Sequence, residues 1–270
     1  MTTEVDDLKY CTRWLAQERL DAGDAEKLLA QAGDDPEDLF TLYRALVNVR
    51  EPDPVPAEWL AAQDRMLQAR IAAAGVTDAA ALPRTAVDQR ISLWRGDITR
   101  IRVDAIVNAA NSQMLGCWVP GHHCIDNAIH SFAGVQLRAE CARVMAAQGH
   151  EEPTGQAKVT AAYNLPASYV IHTVGPIVQG RLTARDRALL ARCYQSCLDA
   201  AAAQACTSIA FCCISTGIFG FPQREAAQIA ARTVRAWLDA FEAAGEPPMH
   251  VIFDVFGEKD ERIHRSVLGE

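Results

Sequence analysis

Apolar residues recur three or four positions apart through the first ninety residues of this 270-residue chain, whereas from Ile91 they gather into short, nearly continuous runs. The first pattern is that of helices with one buried face, and the second that of strands buried on both faces. Val5, Leu8, Cys11 and Leu15 share one helical face, and Leu39, Leu42, Leu46 and Val49 share another. Ahead of the second set, Asp35 is an N-cap residue and Pro36 needs no amide partner at the first helical position. Glu37 and Asp38 then place negative charge where the helix dipole favours it. The stretch Glu51-Pro-Asp-Pro-Val-Pro56 cannot continue a helix, because its prolines lack amide donors and restrict the residues before them. A further helix is expected through Trp59, Leu60, Leu67 and Ile71. Residues 1–85 thus read as a helical extension that caps the rest of the chain, and no cluster of reactive side chains marks it as an independent binding module.

The runs Ile91–Trp94, Ala105–Asn108, Tyr169–Val174, Ser208–Ser215 and Val251–Phe256 are rich in β-branched and aromatic residues and predict strands. Helical stretches near 125–147, 185–204 and 223–243 lie between them. This alternation predicts an α/β fold over residues 86–270: a mixed, mostly parallel sheet with helices on both faces. Ligands of such sheets bind beyond the carboxyl ends of the strands, which directs attention to the loops after Asn108 and Ser215.

Half of the residues are hydrophobic, enough for a sizeable core. The formal charge of −8 opposes a polyphosphate backbone, so nucleic acid is not an expected partner. No apolar stretch approaches the roughly 20 residues needed to cross a bilayer, and no export signal opens the chain. Neither a membrane nor secretion is expected, and the cytoplasm is the expected location. The nine cysteines, an odd number in a long chain, then read as reduced thiols.

Neither usual phosphate-binding fingerprint is present. Ser215-Thr-Gly-Ile-Phe-Gly-Phe-Pro222 does follow a buried strand and precede a helix, with glycines that let backbone amides turn toward an anion. More informative is Asn108-Ala-Ala-Asn-Ser-Gln-Met-Leu-Gly-Cys117-Trp-Val-Pro-Gly-His122-His-Cys124-Ile-Asp126-Asn-Ala-Ile-His130. It gathers thiols, imidazoles, a carboxylate and side-chain amides between a strand and a helix. Cys117, His122 and Cys124 offer two thiolates and an imidazole to zinc, with the fourth tetrahedral position open for catalysis. The spacing alone also admits free loop thiols beside a surface histidine. A zinc deaminase is excluded, because its His-x-Glu and Pro-Cys-x-x-Cys elements are missing.

Asn108-Ala-Ala-Asn111, Asp126-Asn-Ala-Ile-His130, Ile171-His-Thr-Val-Gly-Pro176 and Ile214-Ser-Thr-Gly-Ile-Phe-Gly-Phe-Pro222 together resemble a macrodomain, the ADP-ribose-binding fold, over roughly residues 90–257. The resemblance implies a three-layer α/β/α domain. Where most macrodomain hydrolases carry a polyglycine run, Gly116-Cys-Trp-Val-Pro-Gly-His-His-Cys124 resembles the zinc-containing microbial branch. That branch is associated with sirtuin-type ADP-ribosyltransferases and modified lipoyl-carrier proteins.

What the resemblance implies for this chain is a zinc-dependent hydrolase that removes mono-ADP-ribose from modified, acidic side chains; the alternative is a non-catalytic reader of ADP-ribose. Cys117, His122 and Cys124 would hold Zn²⁺, and Asn111 and Asp126 would be catalytic. Asn111 would also bond the distal ribose. Asp97 and Ile98 would hold the adenine, with Phe256 stacking on it or lying in the core. Ala109, Ser215, Thr216, Gly217, Ile218, Phe219 and Gly220 complete the implied ligand contacts, the 215–220 backbone wrapping the diphosphate. For Asp126 a plain helix-capping role competes with catalysis. His130 and His172 read as satisfied structural histidines, and Cys212 and Cys213 as buried small hydrophobes.

Overall fold

The computed structural model describes residues 3–33 and 35–270. Four helices open the chain: α1 (Glu4–Gln17), α2 (Ala22–Ala32), α3 (Pro36–Asn48) and α4 (Ala57–Ala74). Asp35 caps α3 as its sequence position predicts, accepting from the amides of Glu37 and Asp38. A two-residue strand β1 (Thr77–Asp78) follows, and then β2 (Ile91–Arg95), β3 (Ile101–Arg102) and β4 (Ala105–Ala110). The rest of the chain comprises α5 (Ile125–Ala133), α6 (Val135–Gln148), β5 (Ala157–Ala161), β6 (Tyr169–Val174), α7 (Ala184–Ala203), β7 (Ser208–Phe211), α8 (Gln223–Ala243), β8 (His250–Val255) and α9 (Glu258–Leu268).

Six strands form one sheet in the order β2-β8-β7-β4-β6-β5, in which only β5 runs antiparallel. The sheet is therefore mixed and mostly parallel. Helices α7, α8 and α9 pack side by side on one face, while α5 and α6 lie on the other with α3 and α4 against α5. β4 sits near the centre of the sheet, and all its residues except Ala109 are buried. The larger core follows the sheet, through Ile106, Val107, Ile171, Ile209, Phe211 and Val251. A second core lies within the extension, around Leu8, Tyr43, Trp59 and Met66, and reaches Phe132 and Val135 of the α/β part.

Two boundaries differ from the sequence reading. The run expected to be a strand to Ser215 leaves the sheet after Phe211, and Ser215 takes φ 65°, a left-handed conformation incompatible with a continuing strand. The expected helix over 125–147 is broken at Gly134, where φ is 97°. A Cβ there would meet Gln63 Nε2 at 2.6 Å, so glycine permits the close approach of α4. No helix among the described residues is long and apolar enough to cross a membrane.

Candidate active site

Parallel pairing of β4 with β6 sets Asn108 opposite His172 at the carboxyl end of the sheet. The Asn108 amide nitrogen donates to Asp126 Oδ1 at 2.8 Å and lies 3.1 Å from His172 Nδ1. With Nδ1 accepting, His172 donates from Nε2 to Thr160 Oγ1 at 2.9 Å, and burial drives its pKa down to about 3. Asn111 Nδ2 donates to Gly116 O at 3.0 Å and reaches Asp126 Oδ2 at 3.3 Å. Its Oδ1 accepts from the amides of Gln113 and Met114. Asn111 thus shapes the loop and orients the carboxyl group through the same side chain.

Asp126 lies in the first turn of α5, but the N-cap is Cys124, so the carboxyl group is no helix cap. It is 5% exposed and faces the amides of Asn108 and Asn111. Burial raises its pKa to about 6, opposed by the Asn108 bond and the positive charge of Arg138. His130 Nε2 lies 3.6 Å from Asp126 Oδ1. Both His130 ring nitrogens are buried without partners, so it is not the satisfied histidine that the sequence suggested. Burial holds it neutral, with a pKa well below the usual value. Its ring supports the turn at Gly116, where a Cβ would meet His130 Cγ at 2.8 Å.

Cys117, His122 and Cys124 converge in the same loop. Their donor atoms all lie within 4.8 Å of one another, and Cys117 Sγ is 3.5 Å from His122 Nδ1. Cys124 Sγ also accepts from the Asn127 amide at 3.4 Å. Burial and the neighbouring Cys117 push the Cys124 thiol up to about 12. Two sulfurs and one imidazole at this separation, all half-buried, fit three of the four positions of a tetrahedral zinc. A second group, His130, Cys141 and His172, is equally close but wholly buried, and His172 is already bonded to Asn108 and Thr160.

The remaining expected ligand residues line the carboxyl edge on either side. Gly96 N donates to Val255 O at 3.2 Å, which brings Asp97 and Phe256 to one corner. Phe256 is 86% exposed, and so is no core residue but a free aromatic face. Asp97 Oδ1 accepts from Thr99 N and Oγ1, while Oδ2 pairs with Arg100 at 3.3 Å. Ile98 is buried behind it, and Ala109 is half-buried at the end of β4. In the 215–220 loop, Gly220 N donates to Gly217 O and Phe221 N to Ser215 O. The amides of Thr216, Gly217, Ile218 and Phe219 have no partner among the described residues. The Ser215 hydroxyl is buried without a partner. Cys212 is buried as expected; Cys213 is only half-buried.

Buried side-chain polar atoms normally find partners, so unpaired ones mark a functional region when they cluster. Asn108 Oδ1, both His130 nitrogens, Ser215 Oγ and Asp254 Oδ1 are all unpaired around this edge. The sequence reading left Asn108 without a role and passed over Asp254, whose carboxyl group burial and nearby Asp97 hold well above the usual range. An Asp in the last strand, two residues before an exposed Phe, was the available signal.

The three layers, with the loops after β4 and β7 gathered at the carboxyl edge of the sheet, define an α/β domain whose candidate ligand residues lie at its strand ends. Residues 107–230 match the Macro domain family. The chain is 53% identical over 240 residues to the "Protein-ADP-ribose hydrolase" of Treponema medium, covering 88% of this chain and 90% of that one. It is 49% identical over 233 residues to the Staphylococcus aureus (strain MRSA252) protein of the same name, covering 86% and 85%. Among solved structures, the Trypanosoma brucei macrodomain in complex with ADP-ribose matches with TM-score 0.60 and 31% identity, over 84% of this chain and 95% of that one. The chain belongs to the macrodomain family.

Proposed function

We propose that this protein is a zinc-dependent hydrolase that releases ADP-ribose from mono-ADP-ribosylated proteins, cleaving the ester to an acidic side chain. The observation that carries the reading is the convergence of Cys117, His122 and Cys124 with Asn111 and Asp126 in one loop and the first turn of α5. Relatives named protein-ADP-ribose hydrolase at about half identity over most of the chain support it.

Asp97, Ile98 and Phe256 hold the adenine end, and the unpaired amides of Thr216 to Phe219 hold the diphosphate. Backbone donors do this without a cationic patch, in keeping with an acidic chain. Zinc, when bound by Cys117, His122 and Cys124, supplies Lewis acidity at the distal-ribose end. Asp126, fixed by Asn108 and Asn111, orients the ribose hydroxyls or the attacking water against the anomeric carbon. The water oxygen adds at that carbon as the bond to the side-chain carboxyl oxygen breaks; ADP-ribose keeps the new hydroxyl, the carboxylate leaves, and the remaining water proton passes to solvent.

The loop needs reduced thiols, consistent with nine free cysteines and with work in the cytoplasm. The resemblance to the zinc-containing branch points to lipoyl-carrier proteins modified by sirtuin-type transferases as substrates. Incubation with proteins carrying aspartate-, serine- or cysteine-linked ADP-ribose tests the reading. Release from the aspartate-linked protein is expected, whereas tight binding without release from any linkage makes the protein a reader.

A further inference from the structure

Helix α3 ends against the loop that carries the proposed metal ligands. Arg44 and Asn48 lie four residues apart on it and so share a face. Asn48 is 1% exposed. Its Oδ1 accepts from the Gly121 amide at 3.0 Å and from Asn127 Nδ2 at 2.8 Å, and its Nδ2 donates to Ser131 Oγ at 3.2 Å. Gly121 immediately precedes His122. Asn127 in turn donates its backbone amide to Cys124 Sγ and its side-chain amide to Val119 O at 3.2 Å. A single buried oxygen on the extension therefore ties down the loop beside the imidazole and beside the second thiol.

Two arginines complete the clamp. Arg44 Nη2 donates to Asn127 Oδ1 at 2.9 Å, and its Nε is buried without a partner. From α6, Arg138 donates to Leu115 O at 2.7 Å and to the carbonyls of Val47, Asn48 and Arg50. The start of the ligand loop and the end of α3 are thus fastened to the same guanidinium.

We infer that the helical extension is part of the metal centre: Asn48 and Arg44 are positioning residues that hold the Cys117–Cys124 loop in its ligating form. Within the loop itself, regular backbone bonding is sparse, with His122 N to Val119 O as its main turn. Three donors on so irregular a segment gather only at an entropic cost, which fixed outer partners reduce. Without the Asn48 oxygen, the Gly121 amide and the Asn127 side chain lose a buried acceptor, and the loop relaxes away from the ligating arrangement.

The inference rests on the zinc reading above, and zinc affinity separates the two. Competition of the full chain with a chromophoric chelator for Zn²⁺ is the measurement, with near-ultraviolet circular dichroism to verify the fold. Asn48→Ala is expected to weaken zinc binding roughly 10–100-fold, the usual effect of removing an outer-shell partner. Arg44→Ala weakens it in the same direction. Asn48→Asp, which keeps the acceptor oxygen, restores wild-type affinity, and Thr41→Ala, on the exposed side of the same helix where its hydroxyl bonds Glu37 O, leaves it unchanged. Should Asn48→Ala not fold, Asn48→Gln, which moves the amide by one methylene, carries the same expectation. A folded Asn48→Ala protein with wild-type zinc affinity overturns the inference and leaves the zinc reading standing. A wild-type chain that takes up no zinc overturns both.

Discussion

The side-chain amide of Asn108 donates to Asp126 at 2.8 Å from a strand whose register is fixed by the centre of the sheet. The carboxyl group on the first turn of α5 is thereby referenced to the most rigid part of the molecule. Asn108 Nδ2 must point this way, since the alternative rotamer would set its oxygen against the carboxylate. Asn108→Ala should lower kcat by about 100-fold through displacement of Asp126, with zinc content unchanged. Steady-state kinetics with metal analysis measures this; equal loss of metal and turnover would show instead that Asn108 holds up the whole loop.

Asp126→Ala removes the group itself. Turnover should fall by roughly 10²–10⁴, while the affinity for ADP-ribose changes little, because the proposed adenine and diphosphate contacts lie elsewhere. Single-turnover assays beside calorimetry separate the two. A large loss of affinity with kcat preserved would make Asp126 a binding residue only.

Asp97 has two duties, since Oδ1 caps the turn at Thr99 and Oδ2 pairs with Arg100. Alanine would remove both, so Asp97→Asn is the cleaner test: its carbonyl keeps the Thr99 bond and its amide offers a donor where adenine also offers one. ADP-ribose should bind about 1.5–3 kcal/mol more weakly, the scale of a hydrogen bond to a charged group. Calorimetry giving equal affinities removes Asp97 from the adenine pocket.

His172 supplies a pH dependence of stability. Its folded pKa, about 3, lies below the 6.5 of an unperturbed histidine, because burial disfavours the charged ring. The unfolded chain therefore binds a proton that the folded chain does not. The stability associated with His172 is complete above pH 6.5 and is lost as pH falls toward 3. At pH 5 the loss amounts to about 2 kcal/mol, so His172→Gln should flatten the decline in stability between pH 7 and 5 by about that amount. Urea titrations at the two pH values are the check, and an unchanged slope would mean that another group dominates.

Most of the fold was legible because it rests on periodicity. The runs at Ala105 and Tyr169 are apolar throughout, as a strand buried on both faces requires, and they appear as adjacent parallel strands. Asp35-Pro36 announced α3 through cap chemistry alone. The edge strand β5, Ala157–Ala161, escaped because it is short and its one buried position gives no alternation. Helix α2 buries only Ala25, and α9 only His264 and Leu268, too little apolar surface to form a visible stripe. That Cys117, His122 and Cys124 come together was readable, because they lie within eight residues of one another. Asn48 and Arg44 were not, because their role depends on Asn48 meeting Gly121 and on both meeting Asn127 across 73 to 83 residues of chain.

In the proposed reading, one loop unites a zinc site with the hydrolytic centre. Elemental analysis and single-turnover hydrolysis of an aspartate-linked ADP-ribosyl protein, run on wild type, Cys117→Ala and Cys124→Ala, test it most directly. One equivalent of zinc and full turnover are expected for wild type, and loss of both in each variant. Undiminished hydrolysis by a protein verified to be free of metal would show that zinc takes no part in the reaction.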